Sequence, residues 1–142
     1  MRTTAQKMGI REYSRSIFMH ADDDALAEMD LPPLRVFKRL TGSFTYIHLF
    51  VRSAKEMDQL FPKAKAKLEK GGMLWVSWPK NRQLDTDLSL PEVIRIGYSH
   101  GLVESTTLSI NSLWSAIKFT HPKTGKIYRN SYGRLPGDTA DT

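Results

Sequence analysis

Two short apolar runs on either side of an amphipathic segment constrain the fold of this chain more than any other feature. The first run, 46–51, is apolar at nearly every position, which is typical of a strand buried on both faces. Ser53 then begins a capping-box pattern with Glu56, and apolar residues recur after it at helical spacing. The second run is 73–78. This order predicts two parallel, neighbouring strands joined by a right-handed helical crossover.

Shorter elements precede this unit. We expect a first strand at 16–20 and a short helix over 21–29, with Asp22 as its N-cap. The run 35–40 alternates polar and apolar residues, which predicts a half-exposed strand at an edge of the sheet.

Proline and glycine residues are expected to interrupt and end the crossover helix. Pro62 predicts either a kink in the helix or the start of a second one. Gly71 and Gly72 predict a left-handed stop before the second apolar run.

A helix and two β-rich runs follow. Ser89 and Glu92 form another capping-box pattern, and Gly101 is the expected end of that helix. The runs 104–110 and Trp114–Thr120 are joined by three residues, so they should be antiparallel neighbours.

This order of elements predicts an α/β domain with helices on both faces of a mostly parallel sheet. A parallel sheet closed by a C-terminal antiparallel hairpin resembles the class I methyltransferase fold, a Rossmann-like three-layer sandwich. The resemblance is clearest over 44–119. We expect the domain to cover 1–120 and a basic C-terminal tail to cover 121–142.

Four motifs carry a closer resemblance. The stretches LWVSWPK, TDL, GLVES and WSAIKF are similar to the WVSWPK, T-D-L, G-L-V and W-S-x-x-K-F patterns of an uncharacterised bacterial domain-of-unknown-function family. The stretch QKMGI near Gln6 looks like that family's opening, so the resemblance spans 5–120. The family has no assigned activity, so the resemblance implies the fold and leaves the function open.

The glycines that a dinucleotide or S-adenosylmethionine site needs after the first strand are missing. Only glycine lets the backbone approach such a ligand closely, and here the turn reads H-A-D-D-D. Lys38 and Arg39 follow the second strand, where an acid would bind the ribose hydroxyls. The sequence therefore predicts a degenerate methyltransferase-like fold, with a divergent methyltransferase as the alternative.

The remaining candidate site lies where the parallel strands end, since open α/β sheets hold ligands at that edge. Trp78 and Lys80 offer a stacking face beside a cation, which suits an aromatic or anionic ligand. We expect these ligand-binding residues to converge there: Trp78, Lys80, Thr86, Asp87, Trp114, Arg52 and His20. The simpler interpretation makes Trp75 and Trp114 packing residues, Asp87 a cap and Lys80 a solvated charge.

The net charge of +6 is concentrated near the C-terminus, where 121–134 contains four basic residues and no acid. Aromatic residues that stack on bases, beside cations that neutralise phosphate, suit nucleic acid. Tyr128 and Tyr132 lie among the candidate nucleic-acid-binding residues, which are Lys123, Lys126, Arg129 and Arg134. Nucleic-acid binding is therefore a second alternative, and a solvated terminus is the simpler one.

Other chemistries find little support. The chain has no cysteine, which excludes disulfides and thiol nucleophiles and suits a cytoplasmic protein. No histidine pair has zinc-site spacing. His20 and His48 would lie on adjacent strands, where a metal or acid–base pair is conceivable, but the simpler interpretation of His48 is a core histidine with satisfied hydrogen bonds. No apolar run is long enough to span a membrane. We therefore predict no catalytic or metal residue, an unknown cofactor, and a module that binds an unknown small molecule or protein.

Overall fold

Six strands form one sheet in the computed structural model, which describes residues 2–137. Their order across the sheet is β2-β1-β3-β4-β6-β5. In chain order the strands are β1 (Arg15–Met19), β2 (Arg35–Phe37), β3 (Phe44–Phe50), β4 (Leu68–Pro79), β5 (Val103–Ser109) and β6 (Trp114–Thr120). The helices over the same residues are α1 (Thr4–Met8), α2 (Asp23–Glu28), α3 (Ala54–Lys65) and α4 (Leu90–Ser99).

The two apolar runs are parallel neighbours at the centre of the sheet, as the sequence predicts. β3 pairs with β4 in a register that runs from Tyr46 opposite Met73 to Phe50 opposite Ser77. β1 and β2 extend the parallel part on the β3 side. The C-terminal hairpin is also confirmed, because β6 runs antiparallel to both β4 and β5 and lies between them.

Helices cover both faces of this sheet, which confirms the layered α/β architecture. α3 and α4 pack on one face, where Phe61 and Ile94 join the larger core cluster. α1 and α2 pack on the other face, where Met8 and Met29 meet Trp75. α4 approaches the sheet so closely at Gly97 that a Cβ there would overlap the Phe119 ring.

Several local predictions around α3 need correction. α3 is unbroken through Pro62 and ends at Lys65, so no second helix begins at the proline. Gly71 does not stop the helix. Its φ of 82° falls inside β4, where the β3–β4 register shifts, so it accommodates an irregularity in the strand.

The caps of the other helices differ in how well the pattern predicts them. Asp22 caps α2 and Ser53 caps α3, as expected. Ser89 precedes α4 but makes no side-chain capping hydrogen bond, so the capping box predicted there does not form. α1, which was not predicted, has a complete capping box between Thr3 and Gln6.

Residues after β6 lie against the domain. Tyr128 and Leu135 pack on the larger core cluster, and His121 Nε2 lies 3.0 Å from the carbonyl oxygen of Leu68. The last part of the predicted tail, 138–142, falls outside the described residues. No helix within 2–137 is long and apolar enough to cross a membrane.

Candidate functional site

The parallel strands end at one edge of the sheet, the carboxyl edge, and Asp22 occupies the amide groups at the start of α2 there. Its Oδ1 accepts hydrogen bonds from the backbone N–H groups of Asp24 (3.0 Å) and Ala25 (3.4 Å). Its Oδ2 accepts a 2.7 Å bond from Trp114 Nε1. The Trp114 bond is the main reason why the pKa of Asp22 is lowered, against the opposing effect of burial. The carboxylate thus fills the place where an external anion would bind.

His20 and Glu56 bridge the ends of β1 and β3. His20 Nδ1 lies 2.8 Å from Glu56 Oε2, and Glu56 Oε1 accepts a 2.7 Å bond from the backbone N–H of Arg52. The Arg52 guanidinium lies 6.0 Å from the centre of the Trp114 ring. His20 itself has a φ of 57°, a left-handed conformation that glycine adopts more readily. The His20–Glu56 contact therefore links the residue after β1 to the first turn of α3.

The start of α3 is capped from the loop after β4. Asp87 Oδ1 accepts a 2.8 Å bond from the Ala54 N–H, and Ser53 Oγ accepts one from the Glu56 N–H. Thr86 is buried, and its hydroxyl accepts a 3.0 Å bond from the Leu88 N–H. Asp87 and Thr86 thus fix the loop to the helix.

An open pocket of about 370 Å³ lies beside the end of β4, and we call it the tryptophan pocket. Trp78 and Lys80 belong to it, and the Lys80 ammonium donates to the Ser109 hydroxyl. The full lining is Trp78, Lys80, Asn81, Arg82, Leu88, Ser89, Leu90 and Ser115. The exposed apolar side chain of the lining is Leu90 (38%), because Trp78 and Leu88 are only 6% and 1% exposed, and Lys80 and Arg82 add two cations.

The backbone of this pocket is strained. Lys80–Asp85 forms a short 3₁₀ segment in which Asn81 and Arg82 have φ values of 52° and 61°. Leu84 and Asp85 are also left-handed. Such conformations cost free energy in residues other than glycine, and they concentrate at ligand sites.

The sheet separates the predicted ligand-binding residues into two groups. Trp78 points to the face that α3 and α4 cover, whereas Trp114 points to the face that α1 and α2 cover. Pro79, not Trp78, is the residue opposite Trp114 in the antiparallel pair, and Ser115 is opposite Trp78. Trp78 and Lys80 therefore share a pocket with Ser115, while Trp114 lies with Arg52 near Asp22.

A buried polar network on β3 and β4 confirms His48 as a core histidine with satisfied hydrogen bonds, but its partners were not predicted. Tyr46 Oη lies 2.7 Å from His48 Nδ1, and His48 Nε2 lies 2.7 Å from Ser77 Oγ. Burial lowers the pKa of His48 to about 3 and raises that of Tyr46 well above its ordinary value. The i, i+2 spacing of Tyr46 and His48 was the available signal, because it places both on one face of a strand.

The histidines do not assemble a metal site. β1 and β3 are neighbours, as predicted, with Phe18 opposite His48, but His20 is exposed beyond the end of β1. No group of three or more histidine or acidic side chains within 2–137 is arranged to hold a metal ion.

The basic residues after β6 lie apart from the tryptophan pocket. Tyr128 accepts a 2.8 Å hydrogen bond from the Lys123 N–H and lies 5.1 Å below the Lys126 ammonium. Arg129 is exposed, and Arg134 lines a separate surface pocket with Arg95.

Comparisons with known proteins place the fold among methyltransferases. The ribosomal protein L11 methylase of Lactobacillus delbrueckii subsp. bulgaricus matches with a TM-score of 0.56 and 10% identity, over 82% of this chain and 74% of that one. The magnesium protoporphyrin IX methyltransferase of Synechocystis PCC 6803 with bound SAH matches with a TM-score of 0.55 and 8% identity, over 83% and 78%. The chain has a Rossmann-like, methyltransferase-like fold.

A third match is the fibrillarin pre-rRNA processing protein of Methanococcus jannaschii, with a TM-score of 0.50 and 13% identity over 79% of this chain and 69% of that one. No protein-family model matches the chain, and no curated protein sequence does. The resemblance to the bacterial domain-of-unknown-function family therefore stays a prediction.

The residues at the carboxyl edge do not fit S-adenosylmethionine in the usual way. The turn after β1 carries Asp22 on the amides that a glycine loop would leave open. Lys38 and Arg39 follow β2 in place of a ribose-binding acid.

Proposed function

We propose that this chain is a binding module on a degenerate methyltransferase-like fold, and that it takes a small aromatic anion in the tryptophan pocket. The proposal rests on which groups at the carboxyl edge are already occupied. Asp22 and Asp87 occupy the helix amides that a phosphate or carboxylate would otherwise reach. What stays open along that edge is the pocket beside Trp78.

The lining of the pocket supports the ligand class. Leu90 and the small exposed part of Trp78 offer apolar surface to a flat ring, while Lys80 and Arg82 supply charge to an anionic substituent. The volume of about 370 Å³ lies near the lower end of the range for small-molecule sites, roughly 300–1,000 Å³. The left-handed residues Asn81 and Arg82 add the backbone strain that is common at such sites.

The test uses naphthalene-1-sulfonate, a flat aromatic anion, as the probe. In ¹H–¹⁵N spectra of the full chain we expect shifts concentrated at Trp78, Leu88 and Ser115. Replacing both cations (Lys80→Gln with Arg82→Gln) should weaken binding about tenfold, because each supplies a charge-assisted contact.

Lys55→Gln with Lys63→Gln is the matched control, since it removes the same charge from exposed positions of α3. Equal weakening by both pairs, or shifts spread over the surface, would contradict the proposed pocket. No binding at millimolar probe would contradict the ligand class.

A divergent S-adenosylmethionine-dependent methyltransferase is the second candidate, favoured by the sheet order β2-β1-β3-β4-β6-β5 and its likeness to methyltransferase structures. Such an enzyme would hold its cofactor by contacts other than a glycine loop, and it predicts micromolar binding of S-adenosylhomocysteine. The binding module predicts none.

Nucleic-acid binding through the basic residues after β6 remains a prediction of the sequence. It requires RNA or DNA affinity that falls steeply with salt and is lost when Lys123, Lys126, Arg129 and Arg134 are replaced by glutamine.

A further inference from the structure

We propose a second ligand site, for a compact multivalent anion, at the opposite edge of the sheet. A cavity of about 630 Å³, which we call the amino-edge cavity, lies where the parallel strands begin. It is formed by the loop between α1 and β1, by the first residues of β1 and β2, by parts of β3 and β4, and by the end of the antiparallel strand β6. The proposal does not depend on the tryptophan pocket, which lies at the other end of β4.

The cavity gathers cations from three separate parts of the chain. Arg11 comes from the loop before β1, Arg35 begins β2, and Lys118 lies within β6. Within residues 2–137 none of these three side chains makes a hydrogen bond or an ion pair with another residue. Glu12 is the acid in the described lining, so the open charges favour an anion.

Lys118 is the most informative of the three. It is half-buried, and its strand register places it directly opposite Trp75, on the sheet face that α1 and α2 cover. Lys118 lines the cavity from that face, and no carboxylate within residues 2–137 pairs with it. A bound anion would supply the counter-charge.

Arg15 lines the cavity, but its guanidinium is already engaged by other groups of the protein. Its guanidinium donates 2.6 Å bonds to the carbonyl oxygens of Ser43 and Thr41 and stacks 3.8 Å from the centre of the Phe37 ring. This leaves Arg11, Arg35 and Lys118 as the charges available to a ligand.

Tyr13 provides a surface for the rest of the ligand. It lines the cavity and is 66% exposed, in a left-handed conformation with a φ of 61°. A 2.7 Å bond from its N–H to the Pro33 carbonyl oxygen holds that conformation. Because the cavity is concave and within the size range of small-molecule sites, its occupant should be a small molecule rather than a polymer.

The test is calorimetric titration of the full chain with two probes, inorganic pyrophosphate and tricarballylate, which carry similar charge on phosphate and on carboxylate oxygens. We expect at least one of them to bind with a Kd near or below ~1 mM. The pair Arg35→Gln with Lys118→Gln should weaken that binding about tenfold or more. The probe that binds identifies the anionic group.

Lys55→Gln with Lys63→Gln again removes two charges at a distance and should leave the affinity unchanged. If the Arg35 and Lys118 pair fails to fold, Arg11→Gln tests the same site from a loop. The proposal would be overturned if the Lys55 and Lys63 pair weakened binding equally. It would also be overturned if neither probe bound at a concentration of ~10 mM, ten times the expected Kd. A third contradicting result would be a single-stranded RNA that binds more tightly than either probe and that the Arg35/Lys118 and Lys55/Lys63 variants bind with equally reduced affinity.

Discussion

His48 Nε2 lies 2.7 Å from Ser77 Oγ, and this contact joins the two central strands through fully buried polar atoms. Tyr46 Oη completes the network at the other ring nitrogen. In the neutral imidazole one nitrogen donates and the other accepts, so two hydroxyl groups satisfy it completely. A protonated ring would place an unpaired charge in the core.

The first prediction concerns the pH dependence of stability. The unfolded chain protonates His48 near pH 6.5, whereas the folded protein resists protonation until about pH 3. The unfolded state therefore binds more protons between these values, and the free energy of unfolding falls as pH falls, by up to about 1.4 kcal/mol per pH unit. His48→Gln should remove this contribution, as measured by urea denaturation from pH 7 to pH 4.

Tyr46→Phe is the matched control for that slope. It removes one hydroxyl group but keeps the buried imidazole, so it should lower stability at pH 7 by about 1–3 kcal/mol and retain the pH dependence. A His48→Gln variant with the slope of the unaltered protein would show that another group produces it.

The second prediction concerns the contact of Asp22 with Trp114. Asp22→Ala removes the cap of α2 and leaves the buried Trp114 N–H without its acceptor. We expect a loss of about 2 kcal/mol in the free energy of unfolding at pH 7, from the cap and the indole together. Chemical denaturation measures this loss.

Asp23→Ala provides the comparison, because Asp23 lies in the first turn of the same helix without capping it. Its loss should be within about 0.5 kcal/mol, from the helix dipole alone. Equal losses at Asp22 and Asp23 would mean that neither the cap nor the carboxylate–indole contact contributes measurably.

The third prediction concerns the close approach of α4 to β6. Gly97→Ala should destabilise the protein by about 1–3 kcal/mol, because the new methyl group overlaps the Phe119 ring and the better helix propensity of alanine compensates only in part. Adding Phe119→Leu should recover part of the loss in a double-mutant cycle. Arg95→Ala, exposed on the same helix, should change stability far less. Strictly additive losses would contradict the predicted overlap.

The sheet was predictable because its signals are local. Apolar runs, a capping serine and a short hairpin joint each depend on neighbouring residues, and the right-handed crossover rule then orders the strands. The prediction for Gly71 was wrong because a left-handed glycine is equally compatible with a strand irregularity and with a helix end.

The contacts of the carboxyl edge could not be predicted in the same way. Asp22 and Trp114 are 92 residues apart in sequence, and no local pattern links them. Trp78 and Trp114 lie on opposite faces because Pro79 and not Trp78 is opposite Trp114, and the pairing register is a property of the assembled sheet. The amino-edge cavity likewise depends on three distant segments meeting.

The most direct test of the central claim is calorimetric titration of the full chain with S-adenosylhomocysteine. Asp22, the His20–Glu56 pair and Asp87 occupy the carboxyl edge, so we expect no saturable binding up to about 1 mM ligand. A Kd above that concentration means a binding free energy weaker than about 4 kcal/mol. Micromolar binding that Trp78→Phe weakens would contradict the account and establish a cofactor site at that edge.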